Sequence, residues 1–276
     1  PADLTNLAGL WNGMMAGISG KAVRFCEPYK PYAWPPAYAT PCMDTPVALA
    51  VFGRNLLVLT TGTPLLLLGS APEAMDGPPV GMVLPCESAT GAVSFKHGAV
   101  WPSSDGLAYL PEGGSPQLLT LATLTREQWR AMNPETMVAG QYQGLYLCFY
   151  QAGDTRKGFA IDPRNPTALY PISTGFEACY FDELQGSLFV FSGVNVQKWD
   201  AGSLPMTVLH RSKVFRQPRA SNASVAEVIA DDYPVTFKLW AGQHSSDGWS
   251  AGALKLTREV TGRKVFKLPG GYIAED

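Results

Sequence analysis

The sequence has few charged residues and no excess of basic ones. Only 16% of its 276 residues are Asp, Glu, Lys or Arg, and the formal net charge is −2. A protein that holds the phosphate backbone of nucleic acid carries a marked excess of Lys and Arg. Tight nucleic-acid binding by the isolated chain is therefore disfavoured.

Long hydrophobic runs and a secretory signal are also missing. The apolar runs, such as those at 56–59 and 65–68, are much shorter than the ~20 residues that a membrane-spanning helix needs. The chain begins at Pro1 and shows no charged segment followed by an apolar one, the pattern of a signal peptide. We expect a soluble protein without a membrane span, and a fragment cut from a longer chain.

Cysteine and histidine are few and scattered. The five cysteines include no C-x-x-C pair, and His97, His210 and His244 are far apart in the sequence. Reduced, buried thiols are expected rather than a disulfide framework. The sequence also has no G-x-S-x-G and no H-E-x-x-H motif. It therefore predicts no catalytic residue, no cofactor, no metal ion and no enzymatic activity.

Glycine and proline, in contrast, are abundant. There are 28 Gly and 23 Pro, which suits a chain of many turns and few long helices. The proline-dense segment 27–38 cannot take a regular place in a sheet, because proline lacks the N–H that a ladder requires. These features predict an all-β fold in which 27–38 is an extended crossing.

A repeat of short apolar strands, each opened by a glycine, organises the chain. The glycines are Gly53, Gly98, Gly144 and Gly186, at intervals of 45, 46 and 42 residues. A four-stranded blade of a β-propeller takes about 40 to 50 residues. The spacing predicts about four propeller-like repeats.

Each glycine-led strand of the last two repeats is followed by further strand patterns. A second strand is predicted at 158–162 and 195–199, and a third at 168–172 and 207–209. A strand at 211–215 marks where the period ends. We predict a β-propeller over residues 1–216, either incomplete or with blades completed by segments outside this sequence.

One helix is predicted between the second and third repeats. Thr125 and Gln128 have the spacing of a capping box, and Pro134 ends the helical pattern. Trp129 lies inside this insertion and is available to pack or to dock.

The glycine period disappears after residue 217. Apolar patterns at 224–230, 235–241, 254–258 and 264–268 predict a few more strands around Gly-rich turns. We predict a separate small, β-sandwich-like domain at 217–276, truncated at its end.

Several aspartates lie near strand ends. Ser-Asp-Gly at 104–106 is similar to an Asp-box of sialidase propellers, although Asp-Gly is also a favoured hairpin dipeptide. Asp105, Asp162, Asp182 and Asp200 are all placed where Asp commonly bonds the backbone of a turn. A remote carboxylate pair for glycoside hydrolysis stays open as an alternative.

The ordered phrases of the chain resemble a family of virion proteins. They are FCEPYKPYAWP at 25–35, VFG at 51–53, LVLTTGTP at 57–64, GSAPEAM at 69–75, SDGL at 104–107, TREQW at 125–129, NPE at 133–135, FVFSGVNVQKW at 189–199 and RSKVF at 211–215. In this order they are similar to the tail tube or nozzle proteins of short-tailed bacteriophages.

The resemblance implies a structural role in the virion. It suggests a propeller-bearing protein, made in the host bacterial cytoplasm, whose copies form a ring, expected to be a hexamer, at the bottom of a phage tail. Its partners would be further copies, other tail proteins such as the adaptor, portal or fibres, and DNA passing through the lumen without sequence-specific contacts. The alternatives are a glycan-binding propeller module and a sialidase-type glycosidase.

Overall fold

The chain divides into two compact units, Pro1–Leu204 and Pro205–Asp276. The computed structural model describes residues 3–203, 207–212, 215, 223–241 and 253–269. Both units are built of antiparallel strands and turns, which confirms the all-β prediction. The sequence-based boundary between 216 and 217 lies somewhat further along the chain than the division at 204/205.

The first unit contains five antiparallel sheets that follow one another along the chain. The strands of the first two are β1 (Thr5–Gly9), β2 (Met15–Ser19), β3 (Ala22–Phe25), β4 (Ala39–Pro41), β5 (Pro46–Phe52), β6 (Asn55–Thr60) and β7 (Leu65–Leu67). The first sheet has the order β1-β2-β3-β4 and the second β5-β6-β7. Residues 27–38 lie outside the strands and connect β3 to β4, as predicted. They form a succession of turns rather than an extended crossing, and the turns are closed by backbone hydrogen bonds from Lys30 N to Glu27 O and from Ala33 N to Lys30 O.

The third, fourth and fifth sheets have the same design. Their strands are β8 (Val93–Phe95), β9 (Gly98–Ser103), β10 (Gly106–Pro111), β11 (Gln117–Leu118), β12 (Val138–Tyr142), β13 (Leu145–Ala152), β14 (Thr155–Ile161), β15 (Leu169–Ile172), β16 (Ala178–Asp182), β17 (Ser187–Ser192) and β18 (Asn195–Lys198). The third and fourth sheets have four strands each. The fifth has three among the described residues. Within every sheet the strands are adjacent in chain order.

The glycine repeat corresponds to this series of sheets, which confirms the propeller-like prediction. Gly53, Gly144 and Gly186 each lie in the turn before the second strand of a sheet, and Gly98 is the first residue of such a strand, β9. All four have positive φ values between +57° and +152°. Glycine adopts such angles without the steric penalty of a side chain. The strands that follow these glycines are thus the second strands of their sheets rather than the first. The sheet at 5–41, which has no comparable sequence signal, is an additional member of the series.

Consecutive sheets pack face to face through apolar side chains. The core between the first and second sheets includes Val23 and Leu56, and the core between the second and third includes Leu57 and Trp101. Two more cores join the third sheet to the fourth and the fourth to the fifth. Among the described residues, none of these four cores joins the fifth sheet to the first.

Large aromatic residues in these cores carry polar groups that bond to backbone carbonyls. The indole N–H of Trp101 donates to Leu84 O (3.1 Å), and the Tyr146 hydroxyl donates to Gly91 O (2.8 Å). Burying an unsatisfied donor is unfavourable, so each bond fixes a connecting segment to the sheet beneath it.

The predicted helix is confirmed as α1 (Arg126–Arg130). The Thr125 hydroxyl accepts from the Gln128 backbone N–H, and the Gln128 side chain accepts from the Thr125 N–H, which completes the capping box. Three short 3-10 turns lie elsewhere in the first unit, at Trp11–Gly13, Pro72–Ala74 and Pro134–Thr136.

In its described residues, the second unit contains two sheets of two strands each. Its strands are β19 (Val225–Ala226), β20 (Val235–Ala241), β21 (Ala253–Val260) and β22 (Phe266–Lys267). β19 pairs with β22, and β20 pairs with β21. Val260, Phe266 and Leu268 form the buried centre. Strands were predicted in all four places.

The strand predicted at 207–209 is wrong. These residues lie outside any strand, and Val208 and Leu209 are exposed. The strand predicted at 211–215 falls partly outside the described residues, which exclude 213 and 214, while 211, 212 and 215 are not in a strand.

Candidate functional site

The four aspartates considered from the sequence all have hydrogen-bond or ion-pair partners; for Asp200 the partner is the Tyr142 hydroxyl, which donates to its carboxylate (3.1 Å). The Asp182 carboxylate accepts from the backbone N–H groups of Leu184 (2.9 Å) and Gln185 (3.2 Å).

Asp105 lies in the β9–β10 hairpin turn and forms an ion pair with Arg126 (3.1 Å). The hairpin turn consists of Ser104 and Asp105, one residue earlier than the predicted 105–106, and Gly106 is the first residue of β10, paired with Ser103.

Histidine and cysteine form no metal centre in the described part of the chain. His97 lies in the turn between β8 and β9 and His210 lies outside any strand, whereas His244 is not among the described residues. All five cysteines are free, and four are buried. Burial raises the pKa of the Cys86 and Cys179 thiols to about 12, so they are protonated, inert side chains at neutral pH.

The most chemically distinctive concavity is a cleft at the junction of the third and fourth sheets, which we call the inter-sheet cleft. It has a volume of about 130 Å³ and combines cationic, amide and aromatic side chains. Its lining residues are Phe95, Lys96, His97, Tyr109, Gln141, Gly144, Pro163 and Arg164. A second, larger cleft of about 330 Å³ has no charged residue in its lining, which is mainly proline, glycine and aliphatic side chains.

The β8–β9 turn supplies one wall of the inter-sheet cleft. Lys96 and His97 form the tip of this turn, and both are exposed. The Tyr109 hydroxyl, on the neighbouring strand β10, donates to His97 O (3.3 Å) and ties the turn to the sheet. Burial raises the pKa of Tyr109, and the nearby Asp162 carboxylate raises it too while Arg164 lowers it. This phenol remains a neutral hydrogen-bond donor at neutral pH.

The segment after β14 supplies the opposite wall. The Asp162 carboxylate accepts from the Arg164 backbone N–H (2.9 Å) and from Arg164 Nε (3.3 Å), which fixes the direction of the guanidinium. Partial burial acts to raise the pKa of Asp162, but these hydrogen bonds and the guanidinium charge together lower it. Asp162 is therefore a carboxylate whose role here is to position Arg164.

Topology explains why these residues meet. In an antiparallel meander the first–second and third–fourth turns lie at the same end of the sheet. The cleft is lined by the β8–β9 turn of the third sheet, and by the β12–β13 turn and the β14–β15 connection of the fourth sheet. Sequence analysis missed it because each residue looks like an ordinary turn residue. The available signal was the 46-residue interval between Gly98 and Gly144, which places two turns side by side.

The fifth sheet has an apolar face that no other described sheet of the first unit covers, which we call the fifth-sheet face. Leu188 and Val190 of β17 point to the core shared with the fourth sheet. Phe189 and Phe191, which alternate with them along β17, point to the opposite face of the sheet. On that face, Phe189 is paired with Tyr180 of β16, and Phe191 is paired with Val196 of β18. Tyr180 and Val196 are 62% and 60% exposed.

The first sheet has a corresponding outer surface, the first-sheet face. Leu7, which is 56% exposed, lies over Gly17 on the side opposite the core with the second sheet. Arg24 pairs across the strands with Gly17, and its Nε atom is buried without a hydrogen-bond partner in the described structure. The two ends of the sheet series therefore both present surface that the described chain does not cover.

No family model and no curated protein matches this sequence. Solved structures with a similar arrangement include the extracellular domain of the one-component system BT4673 from B. thetaiotaomicron, with 10% identity and a TM-score of 0.47 over 75% of this chain and 28% of that one. PorZ, a surface component of the type-IX secretion system of Porphyromonas gingivalis, has 12% identity and a TM-score of 0.39 over 72% and 27%. BBS1N, solved in complex with ARL6DN, has 10% identity and a TM-score of 0.43 over 72% and 66%.

The chain thus spans little more than a quarter of the first two proteins. At TM-scores below 0.5, this likeness gives no indication of function. Among the described residues, none of the helices has the length and apolar character needed to cross a bilayer.

Proposed function

We propose that this chain is a structural component of a bacteriophage tail, of the tail tube or nozzle kind, whose copies assemble into a ring through which DNA is ejected. The ordered sequence phrases support the phage assignment. The series of similar sheets supports a scaffold role, since its conspicuous features are packed cores and turns. The proposal assigns no reaction to the chain.

The observation that carries the proposal is the pair of uncovered faces at the ends of the sheet series. Inside the chain, every sheet face of this kind is covered by the next sheet. Apolar surface left in water favours association. A contact between the fifth-sheet face of one copy and the first-sheet face of the next is heterologous, and such contacts form rings when the rotation closes.

The charge of the chain suits a channel for DNA. With a net charge of −2 and no basic excess, the surface offers little of the counterion release that drives tight phosphate binding. DNA would pass such a lumen without being held. In the proposed setting the chain belongs to the virion, is synthesised in the host bacterial cytoplasm, and contacts the adaptor, portal or fibre proteins.

Sedimentation and electron microscopy of the purified protein test this proposal. We expect a closed ring with a fixed copy number, six in the proposed arrangement, and recovery of the protein with purified virions. A monomer at all accessible concentrations that is also absent from virions would contradict it.

A glycan-binding module is the second candidate, and the inter-sheet cleft is the observation that favours it. The cleft combines an aromatic floor with amide and cationic groups, the mixture that small polar ligands require. A glycosidase has less support, since the lining of the inter-sheet cleft contains no carboxylate.

A further inference from the structure

The geometry points to a binding site for a small carboxylate-bearing ligand, about the size of a single acidic sugar, in the inter-sheet cleft, with the carboxylate between Lys96 and Arg164. This inference is independent of the proposed ring, because neither the fifth-sheet face nor the first-sheet face contributes to the cleft.

The inter-sheet cleft carries two cationic side chains. Lys96 and Arg164 both line the cleft, and Asp162 is the carboxylate that pairs with Arg164. That carboxylate bonds to Nε of the guanidinium, which leaves the Nη groups with further donors. In the described structure no ion pair involves Lys96. A ligand carboxylate would therefore meet two cations and charge-assisted hydrogen bonds.

The uncharged lining favours an organic anion over a bare ion. The half-buried Phe95 offers apolar surface on which the C–H face of a ring can lie, and the buried Tyr109 and Pro163 form the apolar floor beneath it. The Gln141 amide can both donate and accept with a hydroxyl. Because the Tyr109 hydroxyl is bonded to His97 O, the Tyr109 ring is held in place before a ligand arrives. Such preorganisation reduces the entropy cost of binding.

The rim and the volume of the cleft leave room for a small ring. Gly144 forms part of the rim, with φ of +81°, and a side chain built there would come within 3.4 Å of Arg164 Nη2. The backbone angle at position 144 favours glycine, so the rim of the cleft beside the guanidinium carries no side chain there. A volume of about 130 Å³ suits one small ring, since a water molecule takes about 30 Å³ in the liquid.

Titration of the full chain with glucuronate, followed by calorimetry or NMR, tests the site. Glucose is the matched neutral probe, and inorganic phosphate is the probe without an apolar part. We expect glucuronate to bind, glucose to bind at least about tenfold more weakly, and added NaCl to weaken glucuronate binding. Lys96→Ala and Arg164→Ala should each weaken it by about tenfold or more.

Lys21→Ala is the control variant, since it removes the same charge from the β2–β3 turn, away from the cleft. It should leave the affinity unchanged, and melting temperatures should show that all three variants fold. The inference fails if no binding is detected at glucuronate concentrations of tens of millimolar, because even a weak specific site for a small ligand would be occupied at such concentrations. It also fails if phosphate binds as tightly as glucuronate, or if Lys21→Ala weakens binding as much as the cleft variants do.

Discussion

Gly77 has no side chain, and the space that one would occupy is filled by the backbone carbonyl of Leu66. The segment around Gly77 runs along the outer edge of the second sheet, where Asp76 and Leu68 exchange backbone hydrogen bonds. Any β-carbon at position 77 would push this segment away from β7. The residue thus sets how closely a connecting segment approaches a strand.

Gly77→Ala should lower the free energy of unfolding by about 1–3 kcal/mol, the usual cost of overpacking. Gly81→Ala is the matched control on the same connecting segment, since a β-carbon at position 81 has no neighbour within 4 Å. That change should be neutral, or should stabilise the protein by up to about 1 kcal/mol, because alanine lowers the conformational entropy of the unfolded chain. Urea denaturation of both variants measures the difference, and equal effects would contradict the assigned clash.

Residue-scale features were partly visible in the sequence. The glycines at 53, 98, 144 and 186 could be found because a hairpin turn that requires positive φ selects glycine repeatedly. Gly77 could not be found, because the constraint there comes from a neighbouring strand rather than from its own backbone angles. The cleft residues Lys96 and Arg164 escaped for a similar reason, since their significance depends on which turns lie side by side.

Among the elements, α1 depends most on the surrounding sheets. It has five residues, too few to be stable alone. Trp129, which is 1% exposed, packs into the core between the third and fourth sheets, and its indole N–H donates to Ser103 O (2.7 Å). The sequence predicted the helix from its capping box, but whether Trp129 packs inward or docks outward depended on a core built from distant strands.

Trp129→Ala should destabilise the protein by about 3–5 kcal/mol, because it removes a fully buried aromatic side chain. Trp129→Phe should cost less, since it keeps an aromatic ring, but it should still destabilise the protein because the Ser103 carbonyl loses this donor. Trp34→Ala serves as the comparison, since that side chain is only half-buried and bonds locally to Pro31 O. Thermal and urea unfolding would rank the variants, and an equal loss for Trp34→Ala and Trp129→Ala would show that α1 is not anchored as described.

For the whole molecule, the question is what covers the two ends of the sheet series. The all-β class, the repeat and the presence of a second small β unit were predictable because each is a local pattern repeated along the chain. The free faces were not, because exposure of Tyr180 or Val196 depends on the absence of a covering sheet, and strand periodicity gives the same alternation in either case.

Val196→Glu should reduce assembly of the protein while leaving its unfolding free energy within about 0.5 kcal/mol, as is usual for exposed positions. The introduced charge would lie on the fifth-sheet face opposite Phe191. Val83→Glu is the matched control, because Val83 is 72% exposed and lies outside both free faces. Sedimentation velocity at several protein concentrations measures the extent of assembly of the two variants and of the wild type. Equal assembly by wild type and Val196→Glu would mean that this face is not the contact.

The chain-order arrangement of the strands also bears on how the protein forms during synthesis. Each sheet of the first unit is complete once a single continuous stretch has left the ribosome, since no sheet borrows a strand from elsewhere in the chain. At about 5–20 residues per second, one such stretch takes seconds, whereas a hairpin forms in about 1–10 μs. Every sheet can therefore form before the next is translated. Its apolar outer surface then stays open in the nascent chain until the following sheet arrives, and the fifth-sheet face is left in that condition in the described structure.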